Sequence, residues 1–239
     1  MNMRSKGFCL ALAVGLISPA AALASDIRVT PVSVEVAGAT RTANVTVVNG
    51  ENRPLRVQFR VMRWTQQNGE DVLTPTTDVV VSPPQAVLEP NRRYTVRLVR
   101  GAAGPDRGEE AYRLLVDEIP DASTPTLTGV RLVVQQRLPV FFSNLPRGQA
   151  IVDWSLEQRD GRNWVRAANR GGLHLRLADM RVLQGDRVVS ESPGLVGYIL
   201  PGSTMRFPID AAPGAGPLRL EALSNGGRIN ASLTGGGVR

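Results

Sequence analysis

The chain has 239 residues, 28 of them Lys or Arg and 21 Asp or Glu, for a net charge of +7, with one Cys and one His. So few soft ligands exclude a thiolate or multi-histidine metal centre and a disulfide framework, and the longest apolar run, Phe8 to Ile17, is too short to cross a bilayer as a helix. After Lys6 every basic residue is an Arg, scattered and without interleaved aromatics, which argues against a nucleic-acid partner.

Residues 1–24 read as a secretory signal peptide. Arg4 and Lys6 precede the apolar run, Ala22-Leu23-Ala24 offers small residues for cleavage, and no stop-transfer flank follows. Without Arg4 and Lys6, 26 basic residues remain against 21 acidic. Cys9 lies inside the signal and has no lipobox before it, so the mature chain is expected to hold no cysteine. A periplasmic protein without metal, cofactor or disulfide is the expectation.

From Asp26 to Phe142 short alternating runs are broken by turn residues. IRVTPVSVEV, TANVTVVN, RVQFRVMRW, YTVRLVR, AYRLLVDEI and VRLVVQQRLPVFF read as strands, parted by pieces such as NGENRP and GAAGPDRGEE. Ser143-Asn144-Leu145-Pro146 then interrupts the pattern and marks a hinge. Beyond it AIVDWSLEQ, NWVRAANR, HLRLADMRVL, GYILPGSTMRFPI and LRLEAL again read as strands, while INASL is either a last strand or part of a frayed Gly-rich tail. No fixed-period repeat joins the halves. The fold class is therefore all-β, with two immunoglobulin-like β-sandwich domains over 25–143 and 147–239.

The stretch GVRLVVQQRLPVFF (129–142) alternates with period two: Val130, Leu132, Val134 and Leu138 share one face, and Arg131, Gln135 and Arg137 fall on the other. A long β-branched strand of this kind must be paired or covered. Catalytic chemistry finds little support. His174 has no Ser or Cys in a nucleophile elbow near it, Asp117 and Glu118 read as a strand end, and the glycines of PGAGP and NGG lack the Lys and helix of a phosphate loop. No catalytic residue, metal ligand or small-molecule substrate is assigned.

Three ordered stretches resemble the periplasmic pilus-assembly chaperones of the chaperone-usher pathway, the PapD-like family. VSPPQAVLEPNRRYTVRLVR (81–100) is similar to its proline-rich turn and following strand, EEAYRLLVDEIP (109–120) to its acidic turn, strand and Glu-Ile-Pro signature, and VRLVVQQRLPVFF to the last strand of its first domain. ANRGG and YILPGS carry weaker likeness in the second half. The resemblance implies two domains in an L-shaped arrangement with a cleft between them and no enzymatic activity. It also implies pilin subunits and an outer-membrane usher as partners. In this family the last strand of the first domain is lent to an incomplete subunit, main-chain bonds giving affinity and alternate side chains entering pockets.

On that pattern Val130, Leu132 and Val134 match the donated residues, each worth about 1.5 to 3 kcal/mol if buried in the subunit's groove. Alternation does not say which face meets a partner, so a place in the domain's own core stays an alternative for all three. The family's two basic residues that hold the subunit's C-terminal carboxylate fall at Ser33 and Pro139, neither of which carries charge. The pattern resembles instead the divergent, archaic branch, which implies Arg113 as the carboxylate anchor, with Arg137, two residues before Pro139, as second candidate; a solvated strand Arg stays the alternative for both. Pro83, Pro84 and Pro90 fit ordinary turns, or a rigid edge for usher contact. A secreted structural or adhesive immunoglobulin-like protein is the alternative function, and an exported sandwich hydrolase would need convergent carboxylates.

Overall fold

A computed structural model describes residues 26–101, 108–120, 135–145, 148–209 and 216–235. The expected signal peptide, Val130, Leu132 and Val134 lie outside the described residues. Among the described residues every regular element is a strand.

The first half holds β1 (Ile27–Thr30), β2 (Val34–Ala37), β3 (Thr42–Asn49), β4 (Leu55–Gln67), β5 (Glu70–Pro75), β6 (Val79–Ser82), β7 (Gln85–Leu88), β8 (Arg93–Arg100), β9 (Glu109–Glu118) and β10 (Gln135–Ser143). One sheet runs β1-β3-β8-β6; the other runs β2-β10-β9-β4-β5, with β7 also on β4. Alternate residues face inward, as period-two patterning requires. Val45 and Val47 of β3, Val96 and Leu98 of β8, Val57 and Phe59 of β4, Leu114 and Val116 of β9, and Leu138, Val140 and Phe142 of β10 form one core.

Two expectations need correction here. IRVTPVSVEV is not one strand: β1 pairs with β3 in the first sheet, and β2 pairs with β10 in the second. The chain changes sheets through Pro31, whose peptide bond is cis. Likewise the proline-rich turn contains two short strands, β6 on β8 and β7 on β4, with the change of sheet at Pro83, also cis. Proline supplies no N–H to a ladder, so it suits the places where a strand leaves one sheet for the other.

The second half holds β11 (Val152–Arg159), β12 (Arg162–Asn169), β13 (Leu175–Gln184), β14 (Arg187–Ile199), β15 (Thr204–Ile209), β16 (Leu218–Ser224) and β17 (Gly227–Gly235), in the order β14-β13-β16-β17-β11-β12-β15. The end strands β14 and β15 come back into contact, so the sheet curls on itself around a second core that includes Val165, Leu177, Val182, Ile199, Phe207 and Leu220. The tail segment INASL is part of β17.

Each half is pinned by one buried asparagine. Asn49, fully buried, donates Nδ2 to the carbonyls of Arg53 and Leu88 (2.8 Å each) and accepts from the Glu51 N–H at 2.9 Å. Asn169, 2% exposed, donates Nδ2 to the carbonyls of Leu173 (2.8 Å) and Ile199 (3.0 Å), and its Oδ1 accepts from the N–H groups of Gly171 (2.9 Å) and Ile151 (3.2 Å). The Asn49 and Asn169 carbonyls then accept from the N–H of Asn91 and of Gly202, each three residues past the second acceptor and each at positive φ. Thus LEPN in the first half and ILPG in the second make the same closure. The ANRGG motif has its reason in this packing, since a Cβ on Gly171 would lie 2.3 Å from the Gln149 carbonyl oxygen.

Candidate functional site

The second face of the β2-β10-β9-β4-β5 sheet carries even residues of β4 and odd residues of β9 and β10. Met62 lies opposite Arg113, and Arg113 opposite Pro139. This face does not look wholly onto solvent. Trp64, Ala111 and Phe141 pack there with Tyr198 and Leu200 of the second half, joined by Leu73 of β5. Trp64 meets Tyr198 edge to face, with ring centroids 5.4 Å apart, a favourable aromatic geometry.

Two polar clamps fix this seam. Gln66 accepts from the Leu200 N–H and donates to the Tyr198 carbonyl, both at 2.9 Å, so its amide pairs with the second half's backbone as a strand would. Glu109 accepts from the His174 N–H at 2.8 Å and contacts His174 Nδ1 at 2.9 Å. The two side chains are each 4% exposed, and the imidazole stacks on Phe141 with centroids 3.6 Å apart. His174 is therefore a buried packing residue of the seam.

Arg113 sits beside the same aromatic pair. Its guanidinium lies 3.6 Å from the Trp64 ring centroid and 5.3 Å from that of Tyr198, and its side chain is 14% exposed. Burial pulls its pKa below the usual arginine value, and the nearby charge of Arg137 adds to this, while Asp71 and Tyr198 oppose it. An arginine keeps its charge regardless. Its acidic neighbour is Asp71, with Nη2 to Oδ2 at 3.6 Å.

Arg137, opposite Leu115 and two residues from Pro139, is exposed and donates Nε to Gln135 Oε1 at 2.7 Å. Among the described residues it has no carboxylate within ion-pair distance. The two sequence-expected anchors thus lie on adjacent strands and on one face. Farther along, Asp117 is taken by Arg60 (2.8 Å) and by Gln135, and Glu118 by Arg53; both acidic residues are structural, as their strand-end position suggested.

The backbone of β10 is the other feature. Its antiparallel partner β9 spans all of Gln135–Ser143, but its parallel partner β2 covers only Val140–Ser143. Residues 135–139 therefore present one main-chain edge that no described strand pairs. On the core side the apolar series Phe142, Val140, Leu138 gives way to Gln136, whose amide donates to the Ile27 carbonyl.

Sequence reasoning missed Trp64, Gln66, Asp71 and Tyr198. Trp64 stands out of step with Val57, Phe59 and Val61, which face the core, yet it is 2% exposed. A large aromatic on the off-core parity was the available signal.

The family model of pili and flagellar-assembly chaperones, PapD N-terminal domain, matches residues 26–147. Among solved structures, a chain of the CsuC–CsuE chaperone–tip adhesion subunit pre-assembly complex from archaic chaperone-usher Csu pili of Acinetobacter baumannii superposes with a TM-score of 0.70 at 20% identity, covering 89% of this chain and all of that one. A chain of the Salmonella enterica SafA pilin–SafB chaperone complex gives 0.63 at 19% identity, over 87% of this chain and 96% of that one. The Pseudomonas aeruginosa CupB2 chaperone gives 0.58 at 19% identity, over 87% and 100%. At these identities the likeness carries the two-domain β-sandwich fold. A search of curated protein sequences finds no match.

Proposed function

We propose, because the chain belongs to the family of pili and flagellar-assembly chaperones, that it is an exported, periplasmic chaperone that holds pilin subunits by lending them a strand and passes them to an outer-membrane usher. The proposal keeps the domain limits 25–143 and 147–239, with Val130, Leu132 and Val134 as the donated residues. The family is one of chaperones rather than enzymes. The structures of CsuC with CsuE and of SafB with SafA pair chaperones with subunits, and the same type of client is assigned here.

The observation that carries the reading is the edge of β10 at residues 135–139 that no described strand pairs, beside two guanidinium groups on one face. An unpaired edge is a template for strand addition. The core-filling residues of β10 end at Leu138, yet the sequence continues the apolar alternation through Val134, Leu132 and Val130. Those three share the parity of the core-facing residues and, on the family pattern, enter a subunit's groove. The subunit's terminal carboxylate is held by Arg113, with Arg137 contributing from the neighbouring strand.

The test is Arg113→Ala, co-expressed with a pilin subunit. A charge-assisted contact to a carboxylate is worth about 1.5 to 3 kcal/mol, so affinity for the subunit should fall about ten- to a hundredfold. Thermal unfolding of the free chaperone should shift only by the lost cation–π contact, about 1 kcal/mol. Arg113→Lys, which keeps the charge but not the planar fork, should recover part of the binding. Unchanged subunit recovery with Arg113→Ala would remove this residue from the site.

A further inference from the structure

We propose that Asp71 is a built-in competitor for Arg113, a resident carboxylate that an incoming terminal carboxylate must displace. This rests on the reading of Arg113 as the carboxylate anchor. Asp71 lies on β5 directly opposite Gln66 of β4. Its two oxygens are divided: Oδ1 accepts from Gln66 Nε2 at 2.9 Å, and Oδ2 faces Arg113 Nη2 at 3.6 Å. A committed charge-assisted bond would be about 2.7–2.9 Å long, so the Arg113 pair is held by attraction at a distance and not by a direct bond.

The two partners are also unequally fixed. Arg113 is stacked on Trp64 and mostly covered, whereas Asp71 is 44% exposed on the β4–β5 hairpin. Water can therefore receive the Asp71 carboxylate at little cost, while the guanidinium stays where it is. Gln66, which holds Asp71, is itself fixed by Leu200 and Tyr198 of the second half. The contact between the halves thus sets where the competitor stands.

Two carboxylates on one guanidinium repel each other, so part of the attraction Arg113 offers a ligand is spent in moving Asp71 aside. A carrier that must later release its cargo benefits from this. The internal carboxylate is tethered, so it re-forms its pair as the external one leaves, and the anchor has a partner at every stage of hand-over.

The probe is acetate, titrated at constant ionic strength against the whole mature chaperone while the Arg113 Nε–Hε resonance is followed by NMR, with Arg113→Ala used for assignment. In Asp71→Asn and in Asp71→Ala the acetate dissociation constant should fall about two- to fivefold, the scale of a partly exposed ion pair. An unchanged or raised constant in both variants overturns the competitor role. The two proposals fail separately: full subunit capture by Arg113→Ala would end the anchor reading, whereas a defective Arg113→Ala with an acetate constant indifferent to Asp71 would end only the competitor.

Discussion

Replacing Leu132 by Asp should abolish capture of subunits while leaving the free chaperone folded. Burying a carboxylate in an apolar groove without a partner costs several kcal/mol, on top of the roughly 1.5 to 3 kcal/mol lost with the leucine. Main-chain bonds along one strand edge cannot offset that. On the donor-strand assignment the free protein should be nearly indifferent, since the leucine then fills the subunit's core and not its own. Purified Leu132→Asp should therefore unfold within about 1 kcal/mol of the parent, and no subunit should accompany it from the periplasm. A folded variant that still recovers subunits would defeat the assignment of this strand. A variant destabilised by several kcal/mol would instead place Leu132 in the chaperone's own core.

The second large effect is expected at Asn169→Ala, which should destabilise the protein by about 3 to 5 kcal/mol. Four hydrogen bonds converge on this one amide, and the alanine leaves the N–H groups of Gly171 and Ile151 and the carbonyls of Leu173 and Ile199 without that partner. Each buried group left unmatched costs about 1 to 3 kcal/mol, less than additively when water enters the gap. Thermal or denaturant unfolding measures the loss directly. Asn49→Ala should behave alike in the first half, since Asn49 closes LEPN as Asn169 closes ILPG. A change below about 1 kcal/mol at Asn169 would contradict the view that these asparagines pin the two halves.

Much of this was legible in the sequence, because period-two alternation is a local property. The runs TANVTVVN, AYRLLVDEI and LRLEAL became β3, β9 and β16 with little change of limits. What escaped was decided by contacts between distant residues. IRVTPVSVEV alternates throughout, and only the partners of β1 and β2 show that it divides between two sheets. The strands β6 and β7 are four residues each and sit around two prolines, so the turn signal outweighed the strand signal. Asn49 and Asn169 play one role, but the segments that close on them are 39 and 30 residues away, so a search for a fixed repeat has nothing to find.

The site divides in the same way. Arg113 and Arg137 were reached through the family resemblance, and they do lie on adjacent strands of one face. Trp64, Asp71 and Tyr198, which define the surroundings of Arg113, come from β4, from the β4–β5 hairpin and from the far half of the chain. Their convergence depends on the packing of the two halves, which no local pattern encodes. His174 is the converse case: a lone histidine that invites a catalytic reading is used to join the halves through Glu109 and Phe141.

On the reading proposed, the stretch that leads into β10 is lent to a subunit through the edge that no described strand pairs. Amide hydrogen exchange of the free chaperone and of its complex with a pilin subunit, resolved to peptides covering residues 128–145, tests this most directly. Strand donation predicts that amides of residues 130–138 gain protection in the complex, beyond those of 135–138 already bonded to β9 in the free protein, with residues 140–143, between β9 and β2, protected in both. Exchange at residues 130–138 that is the same with and without a bound subunit would contradict it.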